Sequence, residues 1–196
     1  SVNATEHSVM CSGSKEDEIG TFRRLMQTFP NGVLSVVSDT WDLWKVLTEY
    51  LPELKNEILA RNGKLVIRPD SGDPVDIICG KKIYRSDNIF RLDAEIAKNE
   101  SYYENQNTPQ EKGVIELLWD VFGGTINKQG YKVLDSHSGA IYGDYITLDR
   151  MEQICNRLMK KGFASTNVVC GVGSYSMGYA TRDQQGGAIK STYIEI

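Results

Sequence analysis

The chain has 196 residues, 40% hydrophobic and 24% charged, enough for one domain with a substantial core. Its net charge of −4 argues against a nucleic-acid surface, and no run approaches the roughly 18 apolar residues of a membrane span. No basic or apolar region of a secretory signal is visible in the opening SVNATEHSVMCSGS, and the cysteine usage is that expected of a cytoplasmic protein. Cys11, Cys79, Cys155 and Cys170 form no CxxC pair and read as reduced thiols, two of them in a buried helix face and a buried strand.

After the acidic turn Glu16-Asp17-Glu18, the residues Ile19, Phe22, Met26 and Phe29 recur at helical spacing, and Pro30 stops the run. Residues 33–37 (VLSVV) read as a buried strand. Leu43, Val46, Leu47, Tyr50 and Leu51 form a second helical stripe, which Pro52 kinks or restarts. A second strand follows at residues 64–67 (KLVI). From about Gly80 to Thr108 the chain is polar, with KNESYYENQN at its centre, and reads as a long surface excursion. Thr108-Pro109-Gln110-Glu111 has the form of a capping box with Pro at the first helical position, and Gly123-Gly124 ends that helix. Residues 140–142 (AIY) make a third strand. Leu148, Met151, Ile154, Cys155 and Leu158 then line a helix capped by Thr147 and Gly162. Strands at 167–170 (NVVC) and 192–196 complete the series. This alternation predicts an α/β fold in one domain, with a parallel sheet that is either doubly wound or a barrel. Because the chain starts at Ser1 and stops inside an apolar β-type run, it reads as an internal piece of a longer protein.

Each strand ends in polar chemistry. VLSVV runs into Ser38-Asp39, KLVI into Arg68-Pro69-Asp70-Ser71-Gly72, AIY into Gly143-Asp144, and NVVC into Gly171-Val172-Gly173-Ser174. In parallel α/β folds this rim binds ligands. Glycines that free backbone N–H groups suit a phosphate, Arg182 and Lys190 can neutralise more of its charge, and carboxylates suit ribose hydroxyls or a magnesium ion. Plainer readings compete. Asp39 and Asp144 could be helix N-caps, Arg68 and Asp70 a structural ion pair, GVGS a tight turn, and His7 and His137 ordinary solvated histidines.

Taken together, SVNATEHS, SVVSDTWD, IRPDSGDP, AIYGD, GVGS and the later TRD resemble the nicotinamide phosphoribosyltransferases, in particular their bacterial and phage-like branch. The resemblance covers essentially the whole chain. It implies part of a type II phosphoribosyltransferase β/α barrel, with the N- and C-terminal parts of the full enzyme lying outside it. The implied reaction joins nicotinamide and phosphoribosyl pyrophosphate to give nicotinamide mononucleotide and pyrophosphate, with Mg²⁺ and with ATP as activating co-substrate, in a homodimer.

Residue by residue, the resemblance makes His7 the histidine that ATP phosphorylates, with Glu6 and Asp39 hydrogen-bonded to it. Ser35 and Arg68 fall near the nicotinamide amide, and Asp70 on the ribose or magnesium side. Gly143 and Asp144 match a nucleotide-binding pair, Gly173 and Ser174 the phosphate loop, and Arg182 and Lys190 phosphate-side cations. Here Ser174 and Tyr175 stand where the family has glycines. The aromatic residues that sandwich the pyridine ring are implied to come from the missing N-terminal portion and a second subunit. Three rivals remain: a nicotinate phosphoribosyltransferase, an unrelated barrel enzyme acting on a sugar phosphate, and an inactive fragment that at most binds nucleotide.

Overall fold

The computed structural model describes residues 2–81 and 108–172. Its elements run β1 (Asn3–Ala4), α1 (His7–Cys11), α2 (Glu18–Thr28), β2 (Asn31–Val37), α3 (Leu43–Lys45), a π-helical turn (Val46–Tyr50), α4 (Leu51–Leu59), β3 (Asn62–Arg68) and α5 (Pro74–Cys79). They continue with α6 (Pro109–Phe122), β4 (Gly124–Ile126), β5 (Lys132–Leu134), β6 (Ser138–Tyr142), α7 (Leu148–Lys160), a 3-10 turn (Ser165–Asn167) and β7 (Val168–Cys170). The strand expected at 192–196 lies outside the described residues.

Five strands form one sheet in the order β1-β2-β3-β6-β7, and every pairing is parallel. In-order parallel strands with right-handed crossovers put all the connecting helices on one face. Register assigns the faces: Leu34 pairs with Leu65 and Val36 with Ile67, while Ser35 pairs with Val66 and Val37 with Arg68. The first set packs with the apolar stripes of the helices, where Phe22, Leu47, Leu54, Ile58, Ile78, Ile115, Leu118 and Ile154 are almost wholly buried. Each such side chain contributes about 1.5–3 kcal/mol of burial. Ser35, Val66 and Arg68 face the other way. The strand expected to be buried at 167–170 is instead the sheet's edge among the described residues. Its Val169 is 58% exposed, and Cys155 and Cys170 are only half-buried.

Local chemistry explains the helix boundaries. Pro52 offers no N–H to the residue four back and crowds that carbonyl, and the ladder just before it slips into the π turn. Both halves of the Thr108–Glu111 capping box form, and the Thr147 hydroxyl accepts from the Arg150 N–H. Gly162, with φ 77°, follows α7 in the left-handed conformation that ends helices. α6 kinks at Gly113, whose φ is 79° and whose missing Cβ would meet the Gly80 nitrogen at 2.2 Å. The stem of the excursion is therefore a tight backbone crossing, sealed by the Lys81 N–H donating to the Gln110 carbonyl at 2.7 Å. Lys161 Nζ donates to the carbonyls of Cys79 and Lys112 and pairs with Glu116 at 2.7 Å, pinning the same crossing from α7.

Candidate functional site

Because all five strands are parallel, their C-terminal ends share one rim, as expected. The turns after β1, β2, β3 and β6 carry Glu6 and His7, Asp39, Asp70, and Asp144 respectively, and Arg68 is the last residue of β3. Gly171 follows β7 and donates its N–H to the Tyr142 carbonyl at 2.8 Å. A Cβ on Gly171 would lie 2.7 Å from the Gly143 Cα, so two glycine backbones touch where the loops after β6 and β7 meet. Gly173, Ser174, Arg182 and Lys190 lie outside the described residues.

The turns are cross-linked in series. Arg68 pairs with Glu6 at 3.3 Å, joining β3 to the turn after β1. The local Arg68–Asp70 pair that competed in the sequence does not form. A guanidinium at a strand end reaches the neighbouring turn more easily than it bends back on its own. Asp39 Oδ2 accepts from the Asp70 N–H at 2.7 Å and from the Ser71 hydroxyl at 2.6 Å. It is not the cap of the following helix: Asp42 takes that place and accepts from the N–H groups of Trp44 and Lys45. Asp144 is not a cap either, because Thr147 caps α7.

His7 opens α1, with its Nδ1 3.2 Å from Thr40 Oγ1 and its Nε2 3.6 Å from Asp70 Oδ2. The ring is thus flanked by Thr40 and Asp70, whereas the two carboxylates expected to hold it are engaged elsewhere, Glu6 with Arg68 and Asp39 with the Asp70-Ser71 turn. His137 is remote from this chemistry. It precedes β6 at the opposite end of the sheet and bonds Asp135 at 2.8 Å.

Two further features mark the rim as built for a polar ligand. Among the described residues, Ser35 Oγ, Asp39 Oδ1, Trp41 Nε1 and Arg68 Nε are buried without a hydrogen-bond partner, all near the ends of β2 and β3. Glu18 Oε1 and the Arg61 Nε and Nη1 are unpaired too, away from the rim, so the four atoms near the strand ends make up the larger share of such groups and leave polar capacity there. The rim is also electronegative. Burial first, then the carboxylates of Asp39, Asp144, Asp70 and Asp73, push the Tyr142 phenol upward, so it stays a donor and bonds the Gly72 carbonyl at 2.9 Å. Among the described residues no group of three His, Cys, Asp or Glu side chains converges as a metal cage.

Comparison with known proteins decides the family. A family model described as the nicotinate phosphoribosyltransferase (NAPRTase) family matches residues 1–196. The chain belongs to that family. It is 50% identical over 203 residues to a nicotinamide phosphoribosyltransferase of Acinetobacter baylyi, covering 100% of this chain and 36% of that protein. It is 41% identical over 198 residues to one from Mycoplasma pneumoniae and 30% identical over 199 residues to one from Xanthomonas campestris, again across 100% of this chain. The chain spans 39% and 35% of those two relatives, so it is similar to a little over a third of their length. Within this family member the sheet, the rim and its tied turns fall inside the matched region.

The sequence reading left Thr40, Trp41 and Tyr142 unnamed. Thr40 lies inside the quoted SVVSDTWD and Tyr142 inside AIYGD, but nothing in their spacing distinguishes them from ordinary loop and strand residues.

Proposed function

We propose that the full-length protein is a nicotinamide phosphoribosyltransferase, moving the phosphoribosyl group from phosphoribosyl pyrophosphate to nicotinamide. The observation that carries this reading is the assembly of His7, Asp39, Arg68, Asp70 and Asp144 on one parallel-sheet rim, in a chain matched end to end by proteins of that name. The bond from the anomeric carbon to pyrophosphate breaks, and the pyridine nitrogen bonds that carbon, giving nicotinamide mononucleotide. Asp70 and Asp144 are suited to stabilise the positive charge that develops on the ribose. Magnesium arriving with the pyrophosphate supplies charge neutralisation for the leaving group. Ser35, buried with an unpaired hydroxyl beside the Arg68 face, suits the carboxamide of nicotinamide. Gly173, Ser174, Arg182 and Lys190 serve the phosphate side, and His7 takes a phosphoryl group from ATP. We further infer that the sheet closes into a barrel in the whole protein, which acts as a cytoplasmic homodimer; the described helices include none long and apolar enough to cross a membrane.

The test is direct. Full-length protein with ATP, magnesium, phosphoribosyl pyrophosphate and either nicotinamide or nicotinate is assayed for mononucleotide by chromatography. Nicotinamide mononucleotide as the main product is expected; preference for nicotinate, or no product, overturns the reading. The 196-residue chain by itself is expected to turn over well below about 1 per second, because the resemblance puts the pyridine-stacking residues in parts of the relatives that this chain does not match.

A further inference from the structure

We propose that Arg150 is a positioning residue that sets the spacing between the turn bearing Asp70 and the turn bearing Asp144. The inference rests on reading this rim as the phosphoribosyl site. Arg150 sits in the first turn of α7, its backbone fixed by the Thr147 cap at 3.2 Å. Its guanidinium lies over the Tyr145 ring, 3.6 Å from the ring centre, and its Nη2 is 3.8 Å from Asp73 Oδ2. Asp73 caps α5 with its other oxygen, which accepts from the N–H groups of Val75 and Asp76. One side chain therefore touches both turns that follow β3 and β6.

Tyr145 adopts φ 51°, left-handed for a residue with a Cβ, directly after Gly143-Asp144. That conformation is strained, because the Cβ crowds the following carbonyl oxygen. A planar guanidinium on the ring offsets it and holds the turn, with Asp144 on it, in one shape. Beneath, the Tyr142 hydroxyl bonds Gly72, so the two turns are tied from the inside by Tyr142 and from the outside by Arg150. Farther down the same helix pair, Arg157 bonds Asp76 at 2.7 Å and the Gly80 carbonyl at 2.9 Å. That lower rung joins α5 to α7 without touching either turn residue. It is the internal control.

The experiment uses the full-length protein and steady-state kinetics. Arg150→Ala is expected to raise KM for phosphoribosyl pyrophosphate about tenfold while kcat stays within about threefold. Arg150→Lys, which keeps the charge toward Asp73 but not the stack, should recover part of the loss. Arg157→Ala should lower the melting temperature and leave both KM values in place. Unchanged KM in Arg150→Ala, or an equal rise in Arg157→Ala, overturns the proposal. A wild-type protein that makes no mononucleotide sinks the functional reading, not this one. Hydrogen exchange then decides it: Arg150→Ala should speed exchange in residues 69–73 and 143–147 together, Arg157→Ala should not, and an unaltered pattern in Arg150→Ala overturns it.

Discussion

Asp39, two residues beyond β2, holds the backbone of Asp70, two residues beyond β3: its carboxylate accepts the Asp70 N–H at 2.7 Å and the Ser71 hydroxyl at 2.6 Å. Both bonds are charge-assisted and short, the kind worth about 1.5–3 kcal/mol. The acid thus acts on the next turn rather than on its own helix, and through that turn it places Asp70 beside His7.

Asp39→Asn keeps the volume, and its amide oxygen can take the place of Oδ2, but it accepts the two donors without the charge. The full-length variant is expected to lose about 10- to 100-fold in kcat/KM, with Asp39→Ala no better. An Asp39→Asn enzyme with normal kinetics would show that the turn holds itself. Its melting temperature should fall only modestly, because Ser71 is exposed and water can replace its bond.

Gly113 gives a second prediction, about stability. Its φ of 79° and the 2.2 Å approach of a notional Cβ to the Gly80 nitrogen leave no room for alanine. Gly113→Ala should destabilise the full-length protein by about 2–3 kcal/mol, measured by denaturant unfolding. A neutral result would mean that the crossing at the excursion's stem is loose.

Much of this was legible in the residues. Strands at 33–37, 64–67 and 140–142 and the helices α2, α6 and α7 stand within two residues of expectation, because long apolar runs and Thr108 and Thr147 caps leave a local signature. The rim followed from the same pattern. β1, α1 and α5 escaped because two, five and six residues carry no measurable periodicity, although Asp73-Pro74 had the form of a helix start. The hairpin of β4 and β5 had a signal, the alternation on either side of Asn127-Lys128-Gln129-Gly130, which the preceding Gly-Gly helix stop obscured. The partners of Asp39, Arg68 and His7 were not readable. In SVVSDTWD two aspartates precede the helix equally well, and only the fold decides that Asp42 caps it while Asp39 reaches across to β3.

Glu18 supplies a pH-dependent test. It lies in the first turn of α2, 1% exposed, and its Oε1 has no partner among the described residues. Burial first, then Asp42, against Lys45, raise its carboxyl from 4.5 to about 7. The folded form therefore holds its proton longer than the unfolded chain. The stability this confers is full below pH 4.5 and is lost as pH rises through about 7, a change on the order of 2 kcal/mol. Glu18→Gln should raise the melting temperature by a few degrees at pH 8.5 and leave it unchanged near pH 4. Equal shifts at both values would remove the carboxyl from the account.

His7 carries the sharpest prediction. An imidazole attacks a phosphoryl group through whichever nitrogen lacks a proton, so the groups that fix its tautomer matter. Here the ring is hydrogen-bonded to Thr40, 3.2 Å from Nδ1, and the Asp70 carboxylate stands by Nε2 at 3.6 Å. In the full-length protein His7→Ala should abolish acid-labile labelling by γ-phosphate-labelled ATP and uncouple ATP hydrolysis from mononucleotide synthesis. Some uncoupled synthesis should persist, because the rim carboxylates remain in place. Thr40→Val removes one hydrogen bond and keeps the ring, so labelling should slow by about 3- to 10-fold rather than vanish. Asp39→Asn should slow labelling only through the loosened Asp70 turn, and combining it with Thr40→Val should multiply the two losses if each acts on its own side of the ring. Normal labelling and normal coupling in His7→Ala would return His7 to the status of an ordinary residue at the start of a short helix.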